Sequence, residues 1–249
     1  MQQVGPEKVI RTARKFGIKS PLGRHLSLAL GTSGVSPLEI ASAYSVIANL
    51  GIYNEPYLIQ QIEDFQGNRL YEHFYQGVQQ YGPDALYPLL DMMRGVVERG
   101  TGRIVRRMGF QHPAAGKTGT TNAFKDAWFN GFTKDISTSV WVGFDNNDSM
   151  KTRSGKGLTG ASAAAPIWVH FMQKALEGKT KVKFPVPDNI KLVTVDVKTG
   201  KLPDEFSLEK IEIAVKEDVD LSPLPIEDPI SELDARENLE VEKFKTFSN

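Results

Sequence analysis

The stretch from residue 114 to 145 limits what this chain can fold into more than any other part. It holds three short extended runs, Ala114 to Thr121, Asp126 to Thr133 and Ser137 to Asp145. They are separated by polar residues and rich in Trp, Phe, Val and Thr. Such residues fit a pleated, half-buried surface, so the runs predict an antiparallel meander. A strong helix is expected to follow over Ala161 to Leu176, with Ile167, Val169, Phe171, Met172 and Leu176 along it. Meander and helix together define an α+β fold, an antiparallel sheet with packed helices.

Other elements are marked by their ends. Pro6 suits a first helical turn, Val9, Ile10, Ala13 and Phe16 make one apolar face, and Gly17 ends it. Ser36-Pro37-Leu38-Glu39 reads as a capping box before Ile40, Ala41, Tyr44, Ile47 and Ala48, with Gly51 past the end. Tyr57 to Ile62 predicts a short strand with Gln66-Gly67-Asn68 as its turn. Pro83 opens a helix carrying Leu86, Leu89, Leu90, Met93, Val96 and Val97, which stops near Gly100-Thr101-Gly102. Ile190 to Val197 alternates and turns at Thr199-Gly200.

The 249 residues are 40% hydrophobic and 24% charged, enough for a globular core. Thirty basic and thirty acidic residues cancel, so whole-chain charge does not point to nucleic acid. The balance hides an asymmetry: residues 1–203 carry 25 basic and 16 acidic side chains, residues 204–249 carry 5 and 14. The second segment, with prolines at 223, 225 and 229, is expected to be a loosely ordered acidic tail. The absence of cysteine excludes a thiol nucleophile, a disulfide scaffold and cysteine-ligated metal. His25, His73, His112 and His170 show no HExxH spacing, so neither a metal nor a cofactor is expected. No window matches a membrane helix, and the N-terminus has no apolar signal-peptide core.

Two glycine motifs invite a phosphate reading. Gly155-Lys156-Gly157-Leu158-Thr159-Gly160 matches GxGxxG, but polar residues Asn146 to Ser154 separate it from the preceding strand, which favours a flexible loop. Gly116-Lys117-Thr118 resembles the end of a P-loop, but Gln111 stands where the first glycine belongs, and Gly119-Thr120-Thr121-Asn122 is poor helix material. Lys117-Thr118-Gly119-Thr120-Thr121 is better read as a strand. There Lys117 can offer fixed positive charge to a cleft, and Gly119 lets a substrate backbone approach. The hydroxyls of Thr118 and Thr120 can hold a carboxylate, and a free backbone N–H can serve an oxyanion hole.

The run from Gly116 to Phe132, with Thr121 and Asp126-Ala127-Trp128-Phe129, resembles the Lys-Thr-Gly segment of class A penicillin-binding proteins, the bifunctional enzymes that polymerise and cross-link peptidoglycan. Three further blocks resemble the same family in the same order. They are Pro37 to Ser45, Val96-Val97 with Gly100-Thr101-Gly102, and Leu158 to Trp168. The resemblance covers residues 1–203 and implies a truncated transpeptidase fold related to serine β-lactamases. It implies that Lys117 assists a proton network and that Thr118 and Thr120 hold the terminal carboxylate of a stem peptide or β-lactam. It also implies that the Thr120 N–H is half of an oxyanion hole.

Such enzymes also use Ser-x-x-Lys for the nucleophile and Ser-x-Asn for the proton network. Ser-x-Asn is absent from this sequence, and the single Ser-x-x-Lys, Ser207-Leu208-Glu209-Lys210, follows Lys-Thr-Gly instead of preceding it. The resemblance therefore implies a chain that starts just after the second motif and is inactive alone. The alternative is a non-catalytic remnant or a split-enzyme module that acts through an N-terminal half in trans or self-associates. The family is anchored in the bacterial cytoplasmic membrane facing outward.

Overall fold

The computed structural model describes residues 3–221. In chain order it contains α1 (Pro6–Lys15), α2 (Pro37–Ala48), β1 (Ile52–Tyr53), β2 (Gln61–Glu63), β3 (Arg69–Glu72), β4 (Val78–Gln79), α3 (Pro83–Glu98), α4 (Ile104–Arg107), β5 (Ala115–Thr120), β6 (Asp126–Phe132), β7 (Ser137–Gly143), α5 (Ala165–Ala175), β8 (Ile190–Asp196) and β9 (Lys210–Lys216). The larger of two units comprises residues up to 192 together with 213–217.

The meander forms as expected: β5, β6 and β7 make a three-stranded antiparallel sheet in that order, with β5 and β7 at its edges. Residues opposite one another share a face. One face carries Phe132, Asn130 and Trp128, opposite Ala115, Lys117 and Gly119 on β5. The other carries Phe129 and Ala127, opposite Thr118 and Thr120. Each face buries its own apolar cluster. Phe132 packs edge-on against Tyr44 of α2, at 6.2 Å between ring centroids, and joins Leu86, Leu90 and Met93 of α3. Phe129 packs edge-on against Trp168 of α5 at 5.2 Å, alongside Val97, Val105 and Phe110. The Trp168 indole N–H donates to the carbonyls of Gly131 and Thr138, at 3.3 and 3.2 Å, so α5 is fixed to the sheet in register as well as by burial. Each such fully buried apolar side chain contributes about 1.5–3 kcal/mol.

The capping box at α2 is present, and its Glu39 does more than cap. The carboxylate accepts from the Ser36 N–H at 2.9 Å, and from the N–H groups of Lys19 and Ser20 and the Ser20 hydroxyl, all at 2.6 Å. It thereby ties the segment after α1 to the start of α2. Burial pushes this carboxyl up, but the hydrogen bonds from Ser20, Ser36 and Lys19 outweigh that and bring it down to about 2.

Two elements depart from the sequence expectation. The strand expected over Tyr57 to Ile62 is shorter and later. Asp64 accepts from the N–H groups of Gln66 and Asn68, at 2.9 and 2.8 Å, and this turn sets a pairing that begins at Gln61 opposite Glu72. The helix expected from Ala161 begins with a wide π turn, Gly160–Ala164, before α5 proper. Within the segment expected to be an acidic tail, β9 pairs with β8, and Ala214 is buried with its N–H donating to Asp91 at 3.0 Å. The prolines at 223, 225 and 229 lie outside the described residues. In the smaller unit, residues 193–212 with those after 217, Asp196 accepts from the N–H groups of Lys198 and Thr199 and closes the turn at Thr199-Gly200.

Candidate functional site

Lys117, Thr118, Gly119 and Thr120 all lie on the edge strand β5. The direction of their backbone groups follows from one contact. The Thr121 N–H donates to the Asp126 carbonyl at 3.1 Å, which makes 121 and 126 a hydrogen-bonded pair. Antiparallel ladders alternate, so residues 119, 117 and 115 also point their N–H and C=O at β6. The N–H and C=O of Gly116, Thr118 and Thr120 therefore point to the open edge. Lys117 exploits this: its exposed ammonium donates to the outward Thr118 carbonyl at 2.8 Å.

The two threonine side chains face the α5 side of the sheet, and each is held by a residue distant in sequence. Thr118 Oγ1 lies 2.7 Å from Thr101 Oγ1. Thr120 Oγ1 accepts from the Gly160 N–H at 3.0 Å, which leaves its own proton to donate. Gly160 sits so close that a Cβ there would lie 2.2 Å from the Trp128 carbonyl oxygen and 2.6 Å from that of Gly119. On the opposite face a Cβ at Gly119 would approach the Trp128 Cβ to 3.1 Å. A side chain at 119 would thus crowd Trp128 across the ladder.

Supports hold the strand in place from both ends. Arg106 of α4 donates to both oxygens of Glu98, at 2.6–3.1 Å, and to the carbonyls of Phe110 and His112, at 2.7 and 2.9 Å. The hydrogen bond from Arg106 holds the Glu98 carboxyl below its ordinary range. At the other end Asp126 accepts from the Thr121 hydroxyl at 3.1 Å and from the Trp141 indole at 2.9 Å. Behind Lys117, Asn130 bonds to Ser139 and to Tyr44; burial pushes the Tyr44 phenol up to about 12, with the Asn130 hydrogen bond opposing. The sequence reading gave no role to Thr101 or Gly160, although both stand inside the blocks that carried the resemblance. It missed the Glu98–Arg106 brace altogether.

The other candidates resolve plainly. Gly116-Lys117-Thr118 runs as a strand and enters no helix. The GxGxxG segment forms a loop closed by a bridge between Lys151 and Gly157. Ser207 belongs to a turn, its hydroxyl donating to the Asp204 carboxylate at 3.0 Å and accepting from the Asp204 N–H at 3.0 Å.

A mixed fold with an antiparallel sheet, edged by a Lys-Thr-Gly strand and covered by helices, is the architecture of penicillin-binding transpeptidase structures. The family model for the penicillin binding protein transpeptidase domain matches residues 3–173, and the chain belongs to that family. Penicillin-binding protein 1A of Aquifex aeolicus is 38% identical over 206 residues, 82% of this chain and 27% of that protein. Penicillin-binding protein 2D of Bacillus subtilis is 35% identical over 204 residues, 79% of this chain and 28% of that protein. The crystal structure of penicillin-binding protein 1A from Haemophilus influenzae matches with a TM-score of 0.77 at 26% identity, covering 90% of this chain and 38% of that one. PonA1 of Mycobacterium tuberculosis in complex with penicillin V matches with a TM-score of 0.63 at 28% identity, covering 73% and 53%. The chain spans about a quarter of the length of the curated relatives it matches. It corresponds to the C-terminal transpeptidase part of a class A penicillin-binding protein. Among the described residues no helix is long and apolar enough to cross a membrane.

Proposed function

We propose that this chain supplies the substrate-binding edge strand of a D,D-transpeptidase site, the one that cross-links D-Ala-D-Ala stem peptides and takes β-lactams in their place. The observation that carries this reading is the orientation of β5. Thr120 turns its N–H to the open edge while its hydroxyl keeps a proton to donate, and Lys117 stands exposed on the same strand. A terminal carboxylate accepts from the Thr118 and Thr120 hydroxyls, with Lys117 supplying charge. The Thr120 N–H stabilises the oxyanion that forms at the scissile carbonyl. The nucleophile is the serine of a Ser-x-x-Lys motif carried elsewhere, because the one such motif here has its serine tied into the Asp204 turn. Covalent catalysis needs nucleophile, base and oxyanion donors together, so this chain alone binds substrate without reacting.

The acyl-enzyme step requires that serine in trans or on the same longer polypeptide. The open outer edge of β7 favours a partner segment of either origin, since β7 pairs only with β6 among the described residues. The test is calorimetric titration of the full chain with an N-acylated peptide ending in D-Ala-D-Ala. Removing a charged hydrogen-bond donor costs roughly 1.5–3 kcal/mol, so Lys117→Gln is expected to weaken binding by about tenfold or more. Unchanged affinity overturns the reading.

A further inference from the structure

We infer that the open depression beside the motif strand is a second anion subsite, in which Arg103 and Arg107 bind an internal carboxylate of the peptide substrate. The inference rests on the proposed transpeptidase reading and adds to it the chemical class of peptide preferred.

The segment between α3 and the end of α4 carries four arginines, Arg99, Arg103, Arg106 and Arg107, and the fold sorts the last three. Arg106 points inward and consumes the local acid, Glu98, together with two backbone carbonyls. Arg103 and Arg107, four residues apart and so on one helical face, are both exposed. They line an open depression of about 560 Å³ with Gly100, Thr101, Ile104, Ala161 and Ser162. Its lining contains no acidic residue. Among the described residues neither guanidinium makes an ion pair. Two unpaired guanidiniums over one concavity make a positive site, and their planar donor forks match a carboxylate in two-point contact.

The depression adjoins the proposed site. Thr101, on its wall, is the residue whose hydroxyl lies 2.7 Å from that of Thr118. Ser162, also in the lining, lies in the turn whose first residue, Gly160, donates to Thr120. A peptide whose terminal carboxylate rests on Thr118 and Thr120 has that need met by β5. The arginines then meet a different anionic group, further along the same peptide.

The test uses two peptides of one sequence, both ending in D-Ala-D-Ala with the terminal carboxylate free. One has its internal carboxylates free, and the other has them amidated. The full chain is titrated with each by calorimetry. The free-acid peptide is expected to bind about tenfold more tightly. That preference is expected to vanish in Arg103→Gln/Arg107→Gln, to weaken but not vanish in Arg103→Lys/Arg107→Lys, where the charge remains without the two-point fork, and to persist in Lys117→Gln, where both peptides weaken together. Equal binding of the two peptides, or a preference that survives the double glutamine variant, overturns the inference while leaving the Lys117 strand standing. If Lys117→Gln leaves the affinity of both peptides unchanged while the preference still depends on the arginines, the subsite is supported and the transpeptidase reading is overturned. Binding of neither peptide overturns both.

Discussion

The hydroxyl oxygens of Thr101 and Thr118 lie 2.7 Å apart, joining the turn after α3 to the middle of the edge strand. One proton is shared in that contact, so the pair has one O–H left to give to a ligand. Thr101→Val removes the partner while nearly keeping its volume. It is expected to weaken binding of a D-Ala-D-Ala peptide several-fold, consistent with about 0.5–1.5 kcal/mol for a neutral hydrogen bond. Melting temperature should change little. Unaltered affinity in a folded variant would show that Thr118 needs no such orientation.

Gly160 is expected to tolerate no side chain. A Cβ there meets backbone oxygens of two strands, which cannot rotate away. Gly160→Ala is expected to cost at least about 1–3 kcal/mol in denaturant unfolding, the range for overpacked sites. It should also shift the Thr120 resonances, because the N–H that Thr120 accepts from moves with it. A neutral substitution would contradict the close approach of the π turn to β5.

Glu39 gives the fold an acid-sensitive anchor. Its folded-state value of about 2 lies below the ordinary 4.5, so its ionised form favours folding. That contribution is fully present above about 4.5 and is lost as pH falls through 2. The prediction is that Glu39→Gln melts at a lower temperature than the parent at pH 7 and that the gap closes between these two values. A gap independent of pH would mean that the carboxylate's charge is not what holds residues 19–20 to α2.

The sequence showed the meander clearly, because Asp126 to Phe132 and Ser137 to Gly143 carry β-branched and aromatic residues in short runs with polar breaks. It also showed α2, whose start is written locally in Ser36, Pro37 and Glu39. What stayed hidden was long-range. Thr101 and Thr118 are 17 residues apart, and Thr120 and Gly160 are 40 apart. No local pattern reveals such pairs. Strand β9 was hidden for a different reason. Ile211, Ile213 and Val215 do alternate, but they sit among acidic residues whose composition dominated the reading.

The ladder also fixes which amides of β7 face outward. Thr138, Val140 and Val142 pair with β6, so Ser139, Trp141 and Gly143 point their N–H to the open edge. An unpaired edge invites another strand. In hydrogen exchange the first three amides are expected to be protected at every concentration. The other three should exchange fast when dilute and become protected on self-association or on adding a segment that pairs there. Strong, concentration-independent protection of Ser139, Trp141 and Gly143 in a monomer would contradict an open edge.

Treatment of the chain with a fluorescent penicillin is expected to yield no covalent adduct by intact-mass spectrometry. An adduct that disappears in Ser207→Ala would show that the Asp204 turn releases a competent nucleophile, and the division of labour proposed above would be wrong.

As proposed, β5 is a carboxylate-binding strand with its oxyanion donor facing outward. Backbone amide NMR of the full chain, titrated with an N-acylated D-Ala-D-Ala peptide, tests it most directly. Saturable shifts are expected at the amides of Thr118 and Thr120, with the Thr120 N–H moving most and both responses reduced in Lys117→Gln. Saturable binding that perturbs other parts of the chain while leaving residues 117–120 unmoved would contradict it.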